Sequence, residues 1–189
     1  MLDAVASTAE NPVPAGVAPW FLFARGCRGE PERDPQGPDE ALWRLVAGGA
    51  GTWRTALTQT VESDPAPMHP PDARTAIEVW TERDLSALHA ASRLRPPALD
   101  DDLHRRIETA LTWHHQFTEP DNATGRPWAI HLSALRSITT GDAGAGLYAE
   151  TQLHNCQVLT AAPDALSAEI LRDAADALRA YASGESGSH

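Results

Sequence analysis

Four histidines could bring imidazole chemistry into the interior of this protein, because helical periodicity places each of them on the inward face of a predicted helix. At 3.6 residues per turn, His114 falls inside the apolar stripe that begins at Leu103, and His131 falls inside the apolar arc of the next helix. The same spacing predicts inward positions for His89, on the face of Leu85 and Ser92, and for His154, on the face of Leu147, Thr151 and Val158. Burying an imidazole without a partner costs on the order of 1–3 kcal/mol, so each ring needs a hydrogen-bond partner, a water molecule or a metal ion.

Three arrangements would satisfy these rings. In the first, they are separate core histidines, each bonded to a backbone carbonyl, a tyrosine or a carboxylate. In the second, they line one polar pocket for a small ligand together with neighbouring tryptophans. The candidate ligand-binding residues are then His89, Trp113, His114, Trp128, His131 and His154.

The third arrangement is a metal site between helices, since imidazoles and a carboxylate from facing helices are ligands that zinc or iron accepts. Its candidate ligands are His114, His131, Glu150 and His154. The chain has no HExxH, HxxxH or paired ExxH motif, so it matches neither the zincin pattern nor the ferritin-type di-iron pattern. The identity of any metal or other cofactor, and of any catalytic residue, stays open at this point.

Length and charge limit the classes of partner. The 189 residues, of which 42% are hydrophobic, are enough for one globular domain with its own core. The formal net charge of −11 disfavours nucleic acids and anionic membranes, because both attract a cationic surface. The N-terminus lacks the basic and apolar regions of a secretory signal, and no apolar run approaches the roughly 20 residues of a membrane span. We therefore expect a cytoplasmic protein that binds a small ligand or another protein, in an oligomeric state that the sequence leaves open.

The elements that must position the histidines are helices. No segment shows the sustained two-residue alternation of a strand, which predicts an all-α fold of about seven helices. We divide the chain into an irregular Pro- and Gly-rich N-terminal arm at residues 1–38, a helical domain at residues 39–182 and a disordered tail at residues 183–189. Residues 64–73 contain four prolines and are predicted as an extended loop, and residues 141–146 as a flexible turn. The predicted helices span about 39–46, 52–62, 81–94, 100–117, 127–137, 147–159 and 163–181.

Polar residues mark two of the predicted helix starts. Thr81 is a predicted N-cap, with Asp84 at the third helical position as in a capping box. Three carboxylates, Asp100, Asp101 and Asp102, precede the next helix, where they suit the free N–H groups and the positive end of the helix dipole. In the N-terminal arm, the stretch WFLF that starts at Trp20 is the predicted docking patch.

A helix, a polar turn and a second helix together resemble a known helical corner. The residues are Arg106, Ala110, Leu111, Trp113 and Gln116, the turn Pro120, Asp121 and Asn122, and then Gly125 and Trp128. They are similar to the hairpin corner of α/α-toroid proteins, the terpenoid cyclase and prenyltransferase group. The resemblance implies stacked antiparallel α-hairpins with a concave inner face. It does not carry cyclase activity or any catalytic residue of that group to this chain, which lacks a DxDD motif.

Two functions follow as hypotheses. The first is a helical-hairpin protein that binds a small ligand or a protein partner on an inner face lined by the candidate histidines and tryptophans. The alternative is a metal- or histidine-dependent enzyme of the hydrolase or lyase type that uses the buried histidines. A third possibility is a subunit of a larger assembly, in which the patch at Trp20 docks on a partner.

Overall fold

The computed structural model describes residues 18–58, 64–120, 125–158 and 164–184. Within these ranges the chain forms eight helices and no strand, which confirms the all-α prediction. The described residues divide into two compact units: an N-terminal unit over residues 18–118 and a C-terminal unit from residue 119 onwards. The helices of the N-terminal unit are α1 (Pro19–Ala24), α2 (Pro38–Val46), α3 (Trp53–Ala56), α4 (Ile77–Arg93) and α5 (Asp101–Phe117), and those of the C-terminal unit are α6 (Ile130–Thr140), α7 (Ala143–Val158) and α8 (Ala165–Ala182).

The predicted irregular arm contains helix α1. Pro19 stands at its first position, where a missing N–H costs no hydrogen bond. Trp20, Phe21 and Leu22 are buried within the chain itself, and the Phe21 ring meets Trp43 of α2 edge-on at 4.8 Å. These three side chains are therefore covered by their own fold and are not an open docking patch for a partner.

Helix α4 begins earlier than predicted. It starts at Ile77, after the backbone cap of Ala76, so Thr81 and Asp84 lie inside the helix rather than at its first turn. Both side chains are buried. The capping interpretation was wrong because the Asp84 carboxylate bonds a neighbouring loop instead of free N–H groups of its own helix.

The proline-rich segment before α4 is non-helical, as predicted, but it is packed rather than extended into solvent. Met68 is fully buried. The indole N–H of Trp80 donates to the carbonyl of Pro70 at 3.2 Å, which ties the segment to α4. An Arg106 Nη2 donor meets the carbonyl of Met68 at 2.7 Å and ties it to α5. The segment is thus held between two helices.

Helix α5 begins as the sequence predicts. Asp100 is the N-cap and accepts the backbone N–H of Leu103 at 2.9 Å. Arg54 pairs with Asp100 and with Asp102, each at 2.8 Å, so these carboxylates serve the start of α5. The predicted helix at 52–62 is limited to the four residues of α3 within the described range, and residues 59–63 lie outside it.

Helix α7 begins inside the predicted flexible turn and buries the face opposite to the predicted one. Leu147 and Val158, expected inside, are 65% and 57% exposed. Small side chains such as Ala145 and Ala149 lie inside instead, and the buried Gln152 Nε2 donates to the carbonyl of Trp128 at 3.0 Å. Small residues and the side chain of Gln152 thus define the packed face, which hydrophobicity alone does not reveal.

The ends of α6 and α8 follow familiar sequence rules. Gly141 ends α6 with a left-handed backbone, φ 74°. Asp164 caps α8 by accepting the backbone N–H of Ser167 at 2.9 Å. Leu171 and Ile130 belong to the hydrophobic core of this unit. Residues 121–124, the predicted turn of the helical corner, fall outside the described ranges, as does the tail from residue 185. None of the helices in the described ranges has the length and apolar character of a membrane span.

Candidate functional site

The carboxylate of Asp84 forms the centre of a polar cluster inside the N-terminal unit. Its side chain is fully buried on α4. The backbone N–H groups of Met68 and His69 donate to its two oxygens, at 3.1 Å to Oδ2 and 2.8 Å to Oδ1. A buried carboxylate is tolerated only when its oxygens have polar partners, and these two backbone N–H groups are two of its four close partners.

His114 supplies a third contact. Its Nε2 lies 2.8 Å from Oδ2 of Asp84, and both side chains are completely shielded from solvent. The other ring nitrogen, Nδ1, lies 3.3 Å from the hydroxyl of Thr118, one turn further along the chain. His114 therefore does point into the interior, as the periodicity predicts, and its partner is a carboxylate on the preceding helix.

His69 supplies the fourth contact, from the proline-rich segment. Its Nδ1 lies 2.7 Å from Oδ1 of Asp84, an ion-pair distance, although the N–H direction departs from that of a linear hydrogen bond. Its side chain keeps 16% of its surface exposed, whereas Asp84 keeps none. Since Nδ1 is the buried nitrogen, Nε2 is the ring nitrogen on the solvent side.

These contacts fix the charge of the carboxylate. Burial alone would raise the pKa of Asp84, but the hydrogen bonds and charges of His114 and His69 outweigh burial and hold the pKa well below its usual range. Arg106 adds a further favourable charge interaction with Asp84. We therefore treat Asp84 as an anion that is hydrogen-bonded to His114 and in close contact with the ring of His69.

A cavity of about 480 Å³ opens beside His69. Apolar walls come from Leu57, Trp80 and prolines such as Pro70. The polar residues of its lining include Arg83 and His69. The centroids of the Trp80 and His69 rings lie 5.8 Å apart, and the two rings are tilted relative to each other. The imidazole of His69 is thus in contact with Trp80 and, through Nδ1, with Asp84.

Arg83 lies at this cavity with much of its hydrogen-bonding capacity unused. Among the described residues its guanidinium forms no hydrogen bond, and its approach to Asp39 is long, 3.8 Å between Nε and Oδ1. Burial raises the pKa of Asp39, and the charge of Arg83 only partly offsets the effect. A guanidinium whose N–H groups have few close partners can bind the carboxylate or phosphate group of a ligand.

The predicted ligand-binding residues are divided between the two units. His89, Trp113 and His114 belong to the N-terminal unit. The His89 ring is buried and meets Trp43 edge-on at 5.4 Å, so it is packed in the core. The Trp113 ring meets Trp80, which lines the cavity, edge-on at 5.5 Å. Trp113 therefore supports the cavity wall from behind.

The other predicted residues belong to the C-terminal unit. Trp128 and His131 are buried, and the position of His131 agrees with the helical periodicity. His154 and Glu150 are exposed, so their predicted inward positions were wrong. Both lie on the exposed face of α7 together with Leu147, whose hydrophobicity is the reason that the periodicity predicts this face inside. In the part of the chain that the structure describes, no group of three or more His, Cys, Asp and Glu side chains is arranged to hold a metal ion.

Comparison with known proteins adds no family to this picture. No family model, curated protein or solved structure matches the chain. The geometry of the site itself is therefore the basis for a function.

Sequence reasoning missed three residues of this cluster in their actual roles. Asp84 was assigned to a helix cap, and His69 and Arg83 were not considered. One signal was available: Asp84 follows Trp80 by one turn and precedes Leu85, so its place on an apolar helix face requires a buried partner. The partner itself comes from a loop without periodicity, which gives no indication of where its side chains point.

Proposed function

We propose that this chain binds a small organic acid in the cavity of the N-terminal unit. The observation that carries the proposal is the combination of a cavity of about 480 Å³ with the weakly engaged guanidinium of Arg83 at its edge. That volume falls within the roughly 300–1,000 Å³ of small-molecule sites. Ligand binding is thus the proposed function, as the sequence predicts, but the proposed site is this cavity and not an inner face shared by the histidines.

The lining defines the chemistry of the ligand. Leu57, Pro70 and Trp80 offer apolar and aromatic surface for a compact hydrocarbon or aromatic body. Arg83 offers a paired donor for one carboxylate, and His69 offers a ring nitrogen. A benzoate-sized acid satisfies both demands, because its ring meets the apolar wall while its carboxylate meets the guanidinium.

Benzoate is therefore the first probe, with benzamide as its uncharged counterpart. We expect benzoate to shift backbone amide resonances of the cavity lining saturably in two-dimensional NMR, and benzamide to bind at least about tenfold more weakly. Arg83→Met removes the charge and keeps the aliphatic stem, so it should remove the preference for benzoate. Arg105→Met, at an exposed site of α5, is the matched control and should retain it.

Two results would overturn the proposal. Shifts scattered over the surface, or an equal loss of preference in both arginine variants, would mean that Arg83 does not recognise the acid. The remaining expectations, a cytoplasmic protein without a nucleic-acid or membrane partner and a relationship to α/α-toroid proteins, stay predictions.

A further inference from the structure

His69 differs from the other histidines in the described ranges because it joins a buried carboxylate to a cavity. His114 contacts the same carboxylate but is completely shielded, and His89 is packed against Trp43. His69 alone among these three lines the cavity. A reactive imidazole needs both an orienting partner and access to a substrate, and His69 has both.

The orientation of His69 is fixed at two points by one side chain. Oδ1 of Asp84 contacts Nδ1 of the ring at 2.7 Å and the backbone N–H of the same residue at 2.8 Å. The carboxylate is itself held on its other oxygen by His114 and by the backbone of Met68. An anion behind Nδ1 favours the form in which Nδ1 carries the proton and Nε2 keeps its lone pair.

We propose that His69 is a general base that removes a proton from carbon in a small organic acid held by Arg83. This proposal depends on the proposed ligand site. The Nε2 lone pair takes the proton, the C–H bond breaks, and its electron pair stays with the substrate, where it enters an adjacent carbonyl or expels a leaving group. The ring becomes an imidazolium whose Nδ1–H faces the Asp84 anion. Asp84 is then a positioning residue and His69 the catalytic one.

The test uses 5-nitrobenzisoxazole, a chromogenic carbon acid whose ring opens to a cyanophenolate when a base removes its single reactive proton. We expect the full-length protein to exceed an equal concentration of free imidazole by about 100-fold or more, in line with the usual range for a positioned base. Benzoate should inhibit competitively. His69→Gln should reduce the rate to background, whereas His104→Gln, at an exposed position on α5, should leave it unchanged.

The positioning role of Asp84 is tested by a pH profile. If Asp84 orients and stabilises the imidazolium, Asp84→Asn should shift the pH midpoint of the rate as well as lower the rate. A lower rate with an unchanged midpoint would mean that Asp84 has only a structural role. The benzoate competition and the pH profile of the unaltered protein remain informative even if a variant fails to fold.

The outcomes distinguish a failure of the general-base proposal from a failure of the proposed ligand site on which it depends. Benzoate binding without any rate above free imidazole would overturn the general-base role and leave the ligand site standing. A rate that persists in a folded His69→Gln variant would place the base elsewhere and also overturn it. If benzoate neither binds nor inhibits, the ligand site fails and the proposal fails with it.

Discussion

Replacing Asp84 by asparagine should destabilise the N-terminal unit although the change is almost isosteric. The carboxylate receives four close donors, two on each oxygen. An asparagine side chain offers one carbonyl oxygen and one NH2 group. In one orientation of the amide the backbone N–H of Met68 then faces another donor, and in the other the backbone N–H of His69 does, whereas the imidazole beside the NH2 group can accept from it in its other tautomer.

The magnitude follows from those stranded donors. If the amide NH2 replaces Oδ2, it faces His114 Nε2 and the Met68 backbone, whereas at Oδ1 it faces the ring and backbone nitrogens of His69. A buried donor without an acceptor costs about 1–3 kcal/mol. One stranded backbone donor, together with the loss of the charged acceptor, lowers the free energy of unfolding by roughly 1–3 kcal/mol.

Urea unfolding followed by tryptophan fluorescence measures this loss, because five of the six tryptophans lie between residues 20 and 113. Glu108→Gln is the matched control, since Glu108 is an exposed carboxylate on α5 and its amide should change stability by less than about 0.5 kcal/mol. A loss below about 1 kcal/mol in Asp84→Asn, similar to the control, would refute the four-donor description of the cluster.

The same carboxylate predicts an acid limit with a definite sign. Because its contacts hold the pKa of Asp84 below its usual range, the stabilisation is present above the unfolded value of about 3.9 and is lost as pH falls towards the folded value. The difference between the wild type and Asp84→Asn should therefore shrink as pH falls below about 4. A difference that grows as pH falls below about 4 would contradict the assignment.

Three further changes test other parts of the structure. Because burial raises the pKa of Asp39, its ionised form costs stability as pH rises, so Asp39→Asn should be at least as stable as the wild type at pH 7 and lose that advantage near pH 3. Thermal melts across pH would show this, and a large loss at pH 7 would oppose it. Leu171→Ala should lower the free energy of unfolding by about 2–5 kcal/mol in denaturant titrations, because Leu171 is buried. Leu147→Ala should change it by less than about 0.5 kcal/mol, because Leu147 is exposed. Similar losses in the two variants would mean that Leu147 is buried, as the sequence predicts. Gly141→Ala should cost about 1 kcal/mol by the same method, since φ is 74° and its surroundings leave room for the methyl group, and no loss would argue against the left-handed cap.

The existence of the longer helices was predictable from the sequence because local signals define them, whereas the short helix α1 was not predicted. Asp100 and Asp164 cap their helices where polar residues precede apolar periodicity. The buried side of α7 was not predictable in the same way. Its inward face is built from small residues and the amide of Gln152, so the most hydrophobic positions, Leu147 and Val158, remain outside.

The site was predictable only in part. His114 was identified as an inward histidine, and it does lie in the buried cluster. Its partner Asp84 was assigned to a cap because a local pattern was available and the loop contact was not. His69 was missed because its position depends on contacts from two helices to a segment without periodicity, through Trp80 and Arg106.

The protonation state of the His69 ring tests the central claim most directly. Long-range ¹⁵N–¹H correlation spectra at a pH where the ring is neutral, assigned with His69→Gln, distinguish a proton on Nδ1 from one on Nε2. An imidazole that donates to Asp84 and presents a basic nitrogen to the cavity must carry its proton on Nδ1, and Asp84→Asn should abolish that preference. A wild-type ring protonated on Nε2 would contradict both the clamp by Asp84 and the role of His69 as a base.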